Sequence, residues 1–563
     1  MRAEVCVAGS VFYLNKRRKS DTRDIHLSIT VMDAETIEIA ALGRPLHPGM
    51  LYDCRNDTFI PGVLLWDQEA IRKDVDVKPQ PLTRVDVSTC DSLSEKTQLM
   101  DVSASLTASF LAGLVGVGGS GSYLNDTLSS MRQCRATMHY KQTTQFKQLT
   151  MTQVGKVIYP EVFDKKSATH VVTAVLYGGE VFMVFDQMAS NEEDKKVIQG
   201  NLDSSTIKIP KVDISSLGKL KLTDKEMKKV KKFSCTFHSN LALENNPTTY
   251  EEAVQLYKKL PELIGDGSKA VPVKVWLYPL TNLDQCAAQL VTKISENLVT
   301  LLEVRMGQLH KAQMRADDAI QRCEAIKVTD LKENLVKFKN ILATYKDTVQ
   351  NNLSKLLPAI RDGTEGEEKL VATLKFIDES SFTPDKMEKW LDDKESEVGV
   401  LESYINLLKH CDIVPPGPEL NAVLGDPTID RVCIFNFTSL KKEELYLSNL
   451  FECLASEEFR AMQNISVAQD LSFKEEAQPW FNDPQISAEM RRTLADFQFK
   501  LKFFKFLKHL KSKFIISYTS DPSRQGAVFY TFKQGKLQDE TDSPYRNIES
   551  EDNSAKNKNK SYS

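Results

Sequence analysis

Residues 167–179 run Ser167-Ala168-Thr169-His170-Val171-Val172-Thr173-Ala174-Val175-Leu176-Tyr177-Gly178-Gly179, and this stretch predicts the centre of the fold. Its β-branched residues favour a strand. The two glycines that end it give the backbone the freedom that a hinge in a sheet needs. Two interpretations stay open on these residues alone: a hinge at Gly178 and Gly179, or a structural His170 beside a β-bulge.

Upstream, apolar and hydroxyl residues alternate without a fault from Val102 to Phe110. In a strand, one face would be apolar and the other would hold only Ser and Thr. The apolar set is Val102, Ala104, Leu106, Ala108 and Phe110. The segment from Val102 to Phe110 is about as long as a tilted β-strand that crosses a bilayer. The alternative is a strand of a soluble sheet with one face exposed to solvent. Taken alone, this segment favours that alternative.

A glycine loop follows, in which Gly116, Gly118 and Gly121 formally match a dinucleotide-binding fingerprint. That fingerprint needs an acidic residue about 20 positions later to bind the ribose. No Asp or Glu occurs between Asp126 and Glu161. We therefore predict a deformable glycine turn and no nucleotide cofactor.

Downstream, the composition changes at residue 284, where apolar residues begin to recur at helical spacing. We predict a helical bundle over 284–411, a linker over 412–429 and a small α/β domain over 430–540. The polar residues 541–563 are predicted to be a disordered tail. The segment 494–510 mixes phenylalanine and lysine, so it suits either a membrane-surface helix or, as we expect, a helix packed on the α/β sheet.

The whole chain has ordinary globular composition, with 41% hydrophobic and 27% charged residues among 563. A net charge of -4 gives no reason to expect a nucleic-acid partner. The ten cysteines include no C-x-x-C and no set with zinc spacing, so we predict neither a metal nor another cofactor. Scattered thiols suit a reducing compartment.

The N-terminus predicts no secretory signal. Its short apolar stretch, Val5 to Leu14, is broken by Gly9 and Ser10, and the basic residues follow it. We expect residues 1–32 to be an N-terminal extension that can be disordered. No apolar run reaches the about 20 residues of a spanning helix, so membrane contact must be conditional. The protein is expected to be secreted without an obvious signal peptide, or cytoplasmic, and membrane-associated when assembled.

Two sets of motifs carry a family resemblance. Thr169-His170 and Gly178-Gly179 resemble the perforin-type signature in identity and spacing, although Val171 replaces its usual aromatic residue. Further runs resemble the stonustoxin and verrucotoxin subunits in the same order, over about residues 33–540. These runs are 41–45, 49–53, 60–62, 108–115, 123–127, 168–172 and 272–277. The chain is identified as a member of the stonustoxin-like family.

The resemblance implies an α+β multidomain fold. A perforin/cytolysin-like (MACPF/CDC) domain over 33–283 would hold a bent central antiparallel sheet with flanking helices. The 284–411 bundle would be similar to focal-adhesion-targeting domains, and 430–540 would be thioredoxin-like, without the cysteine pair that redox catalysis needs. The family's toxins carry a further PRY-SPRY β-sandwich, which we do not expect in these 563 residues.

The resemblance also implies that two segments, 101–130 and 188–232, refold into membrane-spanning hairpins. The second shows period-two apolar patches that Pro210 interrupts. They comprise Ile207, Ile209, Val212, Ile214, Leu220 and Leu222. Because open strand edges are not tolerated in hydrocarbon, only a closed barrel of many subunits could insert them. The expected partners are a lipid membrane and further copies or a homologous second subunit.

These expectations lead to one predicted function and one alternative function. We predict a non-enzymatic, pore-forming protein of cytolytic or haemolytic type that oligomerises and inserts β-hairpins. The alternative is a non-lytic interaction or innate-immune scaffold protein that keeps the same fold. The missing signal peptide and free cysteines favour the alternative, and the regular first hairpin favours the pore.

Overall fold

The computed structural model describes residues 6–7, 10–11 and 35–538, apart from 153–154, 212–227, 266, 268, 441–443, 458, 460–477, 507–510, 520 and 522. The chain divides into Met1–Glu35 and Thr36–Ser563. In the first unit, Cys6–Val7 and Ser10–Val11 pair as antiparallel strands. The rest of the predicted extension and the predicted tail lie outside the described residues.

The second unit opens with an eight-stranded sheet that contains the predicted central strand. Its strands are β1 (Ile37–Ala40), β2 (Met50–Asp53), β3 (Thr58–Leu64), β4 (Val75–Ser88), β5 (Gln133–Leu149), β6 (His170–Met188), β7 (Ser234–Ser239) and β8 (Val271–Pro279). The longest of them, β6, pairs with β2, β5, β7 and β8. All of these pairings are antiparallel, as predicted.

Helices flank this sheet on both faces. They are α1 (Gln68–Asp74), α2 (Leu93–Leu99), α3 (Ala104–Leu111), α4 (Glu161–Lys165), α5 (Glu192–Thr206) and α6 (Tyr250–Gly265). Alternate residues of β6 enter two separate cores. Phe182 and Val184 belong to one, while Val181, Met183 and Phe185 belong to the other.

The predicted bundle consists of long amphipathic helices. They are α7 (Glu296–Ala325), α8 (Thr329–Arg361), α9 (Glu368–Glu379) and α10 (Pro384–Leu407). α10 begins with a proline at its first turn, where the missing N–H costs nothing. Leu335, Phe338, Leu342 and Tyr345 are buried on one face of α8, as their spacing predicts.

The C-terminal part is a five-stranded mixed sheet with helices. Its elements are β9 (Asp412–Ile413), α11 (Pro418–Leu424), β10 (Arg431–Phe437), α12 (Leu445–Ala455), α13 (Pro484–Phe506), β11 (Ser512–Tyr518), β12 (Ala527–Lys533) and β13 (Lys536–Leu537). β10 pairs parallel with β11 and antiparallel with β12. Among the helices of the described residues, none is long and apolar enough to cross a membrane.

Candidate functional site

The candidate site is formed by the two chain segments that interrupt the central sheet. We call residues 89–132, between β4 and β5, the first insert, and residues 189–233, between β6 and β7, the second insert. The register pairs Ser88 with Thr137, and Gln133 with Met188. Both inserts therefore leave from the same end of the antiparallel ladder β4-β5-β6-β7.

The first insert is helical where the alternation predicts a strand. Residues 104–111 form α3, capped by Ser103, whose side chain accepts from the Leu106 amide. The strand interpretation of residues 102–110 is therefore wrong for this state. The physical reason lies in tertiary contacts, which override a local periodicity.

The predicted apolar set, of which Val102 lies just before α3, packs into two cores. Val102, Leu106 and Phe110 pack into the core of the first domain. Ala104 and Ala108 pack into the core that contains the helical bundle. Of the hydroxyl residues in the alternation, Thr107 and Ser109 are also enclosed, at 2% and 0% exposure, whereas Ser103 is exposed.

Arg361, the last residue of α8, fastens α3 to the helical bundle. Its guanidinium is 0% exposed and donates to the carbonyl and hydroxyl oxygens of Ser105 at 2.7 and 2.9 Å, and to Ser109 Oγ at 2.7 Å. It also forms an ion pair with Asp57, 3.2 Å away. Burial raises the pKa of Asp57, and the Arg361 charge and the Ser109 hydrogen bond oppose that rise.

The bundle also holds the other end of the first insert. Asp318 of α7 accepts from Ser130 Oγ at 2.6 Å and from the Met131 amide at 2.8 Å. The His310 Nε2 atom lies 3.0 Å from the Leu128 carbonyl oxygen. The helical bundle therefore contacts both the helix and the exit of the first insert.

A buried charge cluster ties the same insert to the sheet. Arg135 of β5 forms ion pairs of 2.8 to 3.0 Å with Asp91 and Asp126 of the insert and Asp186 of β6. Lys96 of α2, which is 0% exposed, adds a 2.9 Å ion pair to Asp91. Burial opposes the charged form of Arg135, but the three carboxylates more than compensate and raise its pKa.

His238 of β7 extends this cluster. Its Nε2 lies 2.6 Å from Asp126 Oδ2, and its Nδ1 lies 2.7 Å from Ser122 Oγ. Burial acts to raise the pKa of Asp126, but His238 and Arg135 hold it below its usual value. Deprotonated Asp126 therefore stabilises the attachment of the insert to two strands.

The glycine loop of the first insert is closely packed. A Cβ on Gly121 would stand 2.6 Å from the Leu42 carbonyl oxygen, and Gly119 has φ +53° against the side chain of Asn240. Gly119–Asn125 form a 3₁₀ helix, and glycine is required at Gly119 and Gly121 because neighbouring groups approach the backbone. The deformability of this loop stays a prediction.

The second insert begins with α5, which packs on the opposite face of the sheet. Its Leu202 is buried with Val181 and Met183 of β6. Ile207, just after the helix, is 45% exposed, whereas Ile209 is 0% exposed. These two isoleucines do not share a face here. The predicted Val212, Ile214, Leu220 and Leu222 lie outside the described residues.

The glycine pair lies where β6 changes partner. One edge of β6 pairs with β8 as far as Gly178 and with β7 from Val181 onward. Opposite Gly178, β5 contains a bulge between Thr143 and Gln145. A Cβ on Gly178 would stand 2.1 Å from the Gln142 carbonyl oxygen, and one on Gly179 would stand 2.8 Å from the side chain of Ile264.

Thr169 and His170 are structural in this state. Thr169 Oγ1 accepts from the Cys54 amide at 2.9 Å and lies 2.8 Å from His170 Nδ1. Burial lowers the pKa of His170 to about 4, and Lys293 acts in the same direction against Asp53. His170 is therefore neutral near pH 7. Within the described residues, no group of three or more His, Cys, Asp or Glu side chains could hold a metal ion.

The residues that hold the first insert, Arg361, Asp318 and Arg135, were not predicted from the sequence. Arg361 and its partner Ser105 are 256 positions apart, so no local pattern connects them. The one local signal is a charged residue that ends the apolar run of α8.

Comparisons with known proteins agree with this architecture. Three family models match in order: an SNTX, MACPF/CDC-like domain over 36–296, a stonustoxin helical domain over 304–399, and a thioredoxin-like SNTX domain over 410–543. They confirm the predicted fold class. The solved structure of stonustoxin is 28% identical, with a TM-score of 0.70, and covers 89% of this chain and 69% of that chain.

Sequence relatives lead to the same family. Stonustoxin subunit beta from Synanceia horrida is 33% identical over 519 residues, which is 91% of this chain and 72% of the relative. Cytolytic toxin-alpha from Scorpaena plumieri is 38% identical over 427 residues, which is 75% of this chain and 60% of the relative. With this coverage, the fold and the motif order, the chain belongs to the stonustoxin family.

Proposed function

We propose that this protein is a pore-forming subunit of cytolytic or haemolytic type, which oligomerises on a membrane and inserts β-hairpins. The observation that carries the proposal is the exit of both inserts from one end of the ladder β4-β5-β6-β7. An insert that extends the two strands beside it becomes a hairpin without any change of connection. Each insert is long enough for two strands of about nine to eleven residues, the length a bilayer requires.

Assembly follows from the edges of this ladder. Within the described residues, β4 forms a ladder with β5 alone and β7 with β6 alone. An open edge is a template for pairing with another chain, and hydrocarbon tolerates only closed barrels. We propose that neighbouring subunits pair at these edges, as further copies or as a homologous second subunit. Relatives are named as alpha and beta subunits, which supports the second arrangement.

The site of action is a membrane outside the producing cell. The relatives are named as toxins and cytolytic toxins, which supports a secreted protein that becomes membrane-associated on assembly. The activity is mechanical and not enzymatic, because the refolding of two inserts makes or breaks no covalent bond. Nucleic acid has no part in this function.

A reversible lock on the first insert tests the proposal. Ser122→Cys with His238→Cys replaces a side-chain pair that is 2.7 Å apart and joins the insert to β7. The background carries Cys6→Ser, Cys90→Ser and Cys286→Ser, so that these thiols cannot compete for the disulfide bond. Of the three, Cys90 and Cys286 are exposed in the structure. Each single cysteine variant serves as a matched control. Dye release from liposomes and red cells is the measurement.

The expected result is lysis by the reduced protein, loss of lysis on oxidation and recovery with reductant. Undiminished lysis by a fully oxidised lock would exclude release of the first insert. Absence of lysis at micromolar protein, with varied lipids and a co-expressed homologue, would reject the pore and favour a non-lytic binding role.

A further inference from the structure

The thioredoxin-like domain carries an aromatic surface that its own core does not use. The inner face of α13 packs on the sheet, as predicted, with Phe497 0% exposed. The Phe497 ring makes edge contacts with Phe435, Phe514 and Phe529 at centroid distances of 5.3 to 5.8 Å. The inner face of the helix is therefore anchored in the core.

Phe499, Phe503 and Phe506 form an outer stripe on the same helix. Their spacing of four and three positions places them on one face. They are 44%, 48% and 83% exposed, and the rings of Phe499 and Phe503 stack 6.4 Å apart at 9°. Single exposed apolar residues are common, but a row of three aromatic rings on one helix face indicates a contact surface.

The sequence around this stripe is strongly basic. Residues 497–513 contain no acidic residue, and their lysines are Lys500, Lys502, Lys505, Lys508, Lys511 and Lys513. This positive charge lies within a chain of net charge -4. Lys502 and Lys511 are exposed, and Lys500 stays beside the sheet, with Nζ 4.8 Å from the Phe529 ring centroid.

We propose that this surface, the stripe with Lys502 and Lys511, docks the protein onto a membrane rich in anionic lipids. Phenylalanine rings enter the boundary between headgroups and acyl chains, while lysine stems extend their ammonium groups to the phosphates. The basic groups are lysine ammonium groups on flexible side chains, and not the rigid, planar guanidinium groups of arginine. A flexible cation suits a fluid headgroup layer better than the fixed surface of a folded acidic protein. The inference deepens the proposed function, since it names the lipid class that the function would use.

Co-sedimentation of the full chain with vesicles tests the proposal without requiring lysis. One set of vesicles is phosphatidylcholine alone, and the other contains about one third phosphatidylserine. The first variant is Phe499→Ser/Phe503→Ser/Phe506→Ser, and the second is Lys502→Glu/Lys511→Glu. Phe451→Ser is the matched control, because Phe451 is an exposed phenylalanine, at 65%, on a different helix, α12.

Wild-type protein should bind the anionic vesicles at least about tenfold more tightly, and added salt should weaken that binding. Both multiple variants should lose about tenfold in binding or more, with unchanged thermal melting, while Phe451→Ser binds as wild type. The lysine variant remains informative if the serine variant is unstable. Equal binding by wild type and the lysine variant overturns the inference, as does equal binding to both vesicle types.

Parallel dye release separates this inference from the proposed function. Lysis by variants that bind normally would leave the pore intact and overturn the docking surface. Stripe-dependent binding without lysis would support the surface and count against the pore. Binding to an acidic protein in place of vesicles would overturn the lipid assignment.

Discussion

Replacing Arg361 with methionine should release the first insert from the helical bundle. The variant keeps an unbranched, although shorter, side chain and removes a fully buried charge and its bonds to Ser105 and Ser109. It also leaves Asp57 buried without its ion-pair partner. Removing one member of a buried pair costs about 3 to 5 kcal/mol. That loss corresponds to an increase of about a hundredfold to a thousandfold or more in the opening of α3.

Hydrogen exchange of the peptide that covers residues 104–111 measures this opening directly. A peptide from β11 should exchange as in the wild type, since the thioredoxin-like sheet does not use Arg361. Arg322→Met is the matched control. It also removes an ion pair from a bundle helix, but the Arg322 and Glu402 side chains are 34% and 30% exposed. An exposed pair contributes about 0 to 1 kcal/mol, so little change is expected.

A double-mutant cycle assigns the effect to the buried pair. Adding Asp57→Asn to Arg361→Met removes the carboxylate left without a partner, so part of the loss should return. The coupling expected for two groups in contact is about 1 to 3 kcal/mol. If α3 exchanges in Arg361→Met as slowly as in Arg322→Met, the bundle does not restrain the first insert.

The remaining predictions concern the sheet and the charge cluster. Gly178→Ala should lower the free energy of unfolding by about 1 to 3 kcal/mol, because its Cβ would meet a carbonyl oxygen of β5 at 2.1 Å. Gly179→Ala should cost less, since its neighbour is the movable side chain of Ile264, and calorimetry giving the reverse order would contradict the packing. The pKa of His170 falls from 6.5 unfolded to about 4 folded. Its contribution is therefore complete above pH 6.5, and up to about 3 kcal/mol is lost as pH falls to about 4. His170→Gln should flatten melting temperature over that window. The pKa of Asp126 is lowered by folding, so its contribution is lost at still lower pH, as the pH falls through its folded value. Asp126→Asn should remove that acidic dependence, and an unchanged profile below pH 4 would refute the role of the cluster.

The central strand was predictable because its signals are local. A run of β-branched residues between Thr169-His170 and Gly178-Gly179 became β6, and the alternating three- and four-residue spacing of α8 became a buried face. The packing that requires glycine at these two positions was harder to predict. They lie against the β5 carbonyl and Ile264, and no sequence pattern shows which backbone or helix will approach them. Their role as a hinge during opening stays a prediction.

The restraint on the first insert could not be predicted, because it depends on side chains that only the fold brings together. Arg361 and Asp57 are separated by most of the first domain and much of the bundle. Arg135 meets three carboxylates that come from an insert and a strand. A lone basic residue in either position predicts only a solvated charge. In the folded protein both arginines are buried and paired, and their burial depends on how the domains assemble.

The alternation of residues 102–110 is compatible with both states of the first insert. A helix turns about 100° per residue, so residues two apart point in nearly opposite directions. An alternating apolar set therefore covers two opposite faces of a helix, which suits a helix between two cores. That is how Leu106 and Phe110 enter one core while Ala104 and Ala108 enter the other. In a strand the same residues would form one lipid-facing side. Because both states use the pattern fully, it cannot choose between them. The position of the insert at the end of the ladder, and the polar contacts that must break to free it, make refolding the testable hypothesis.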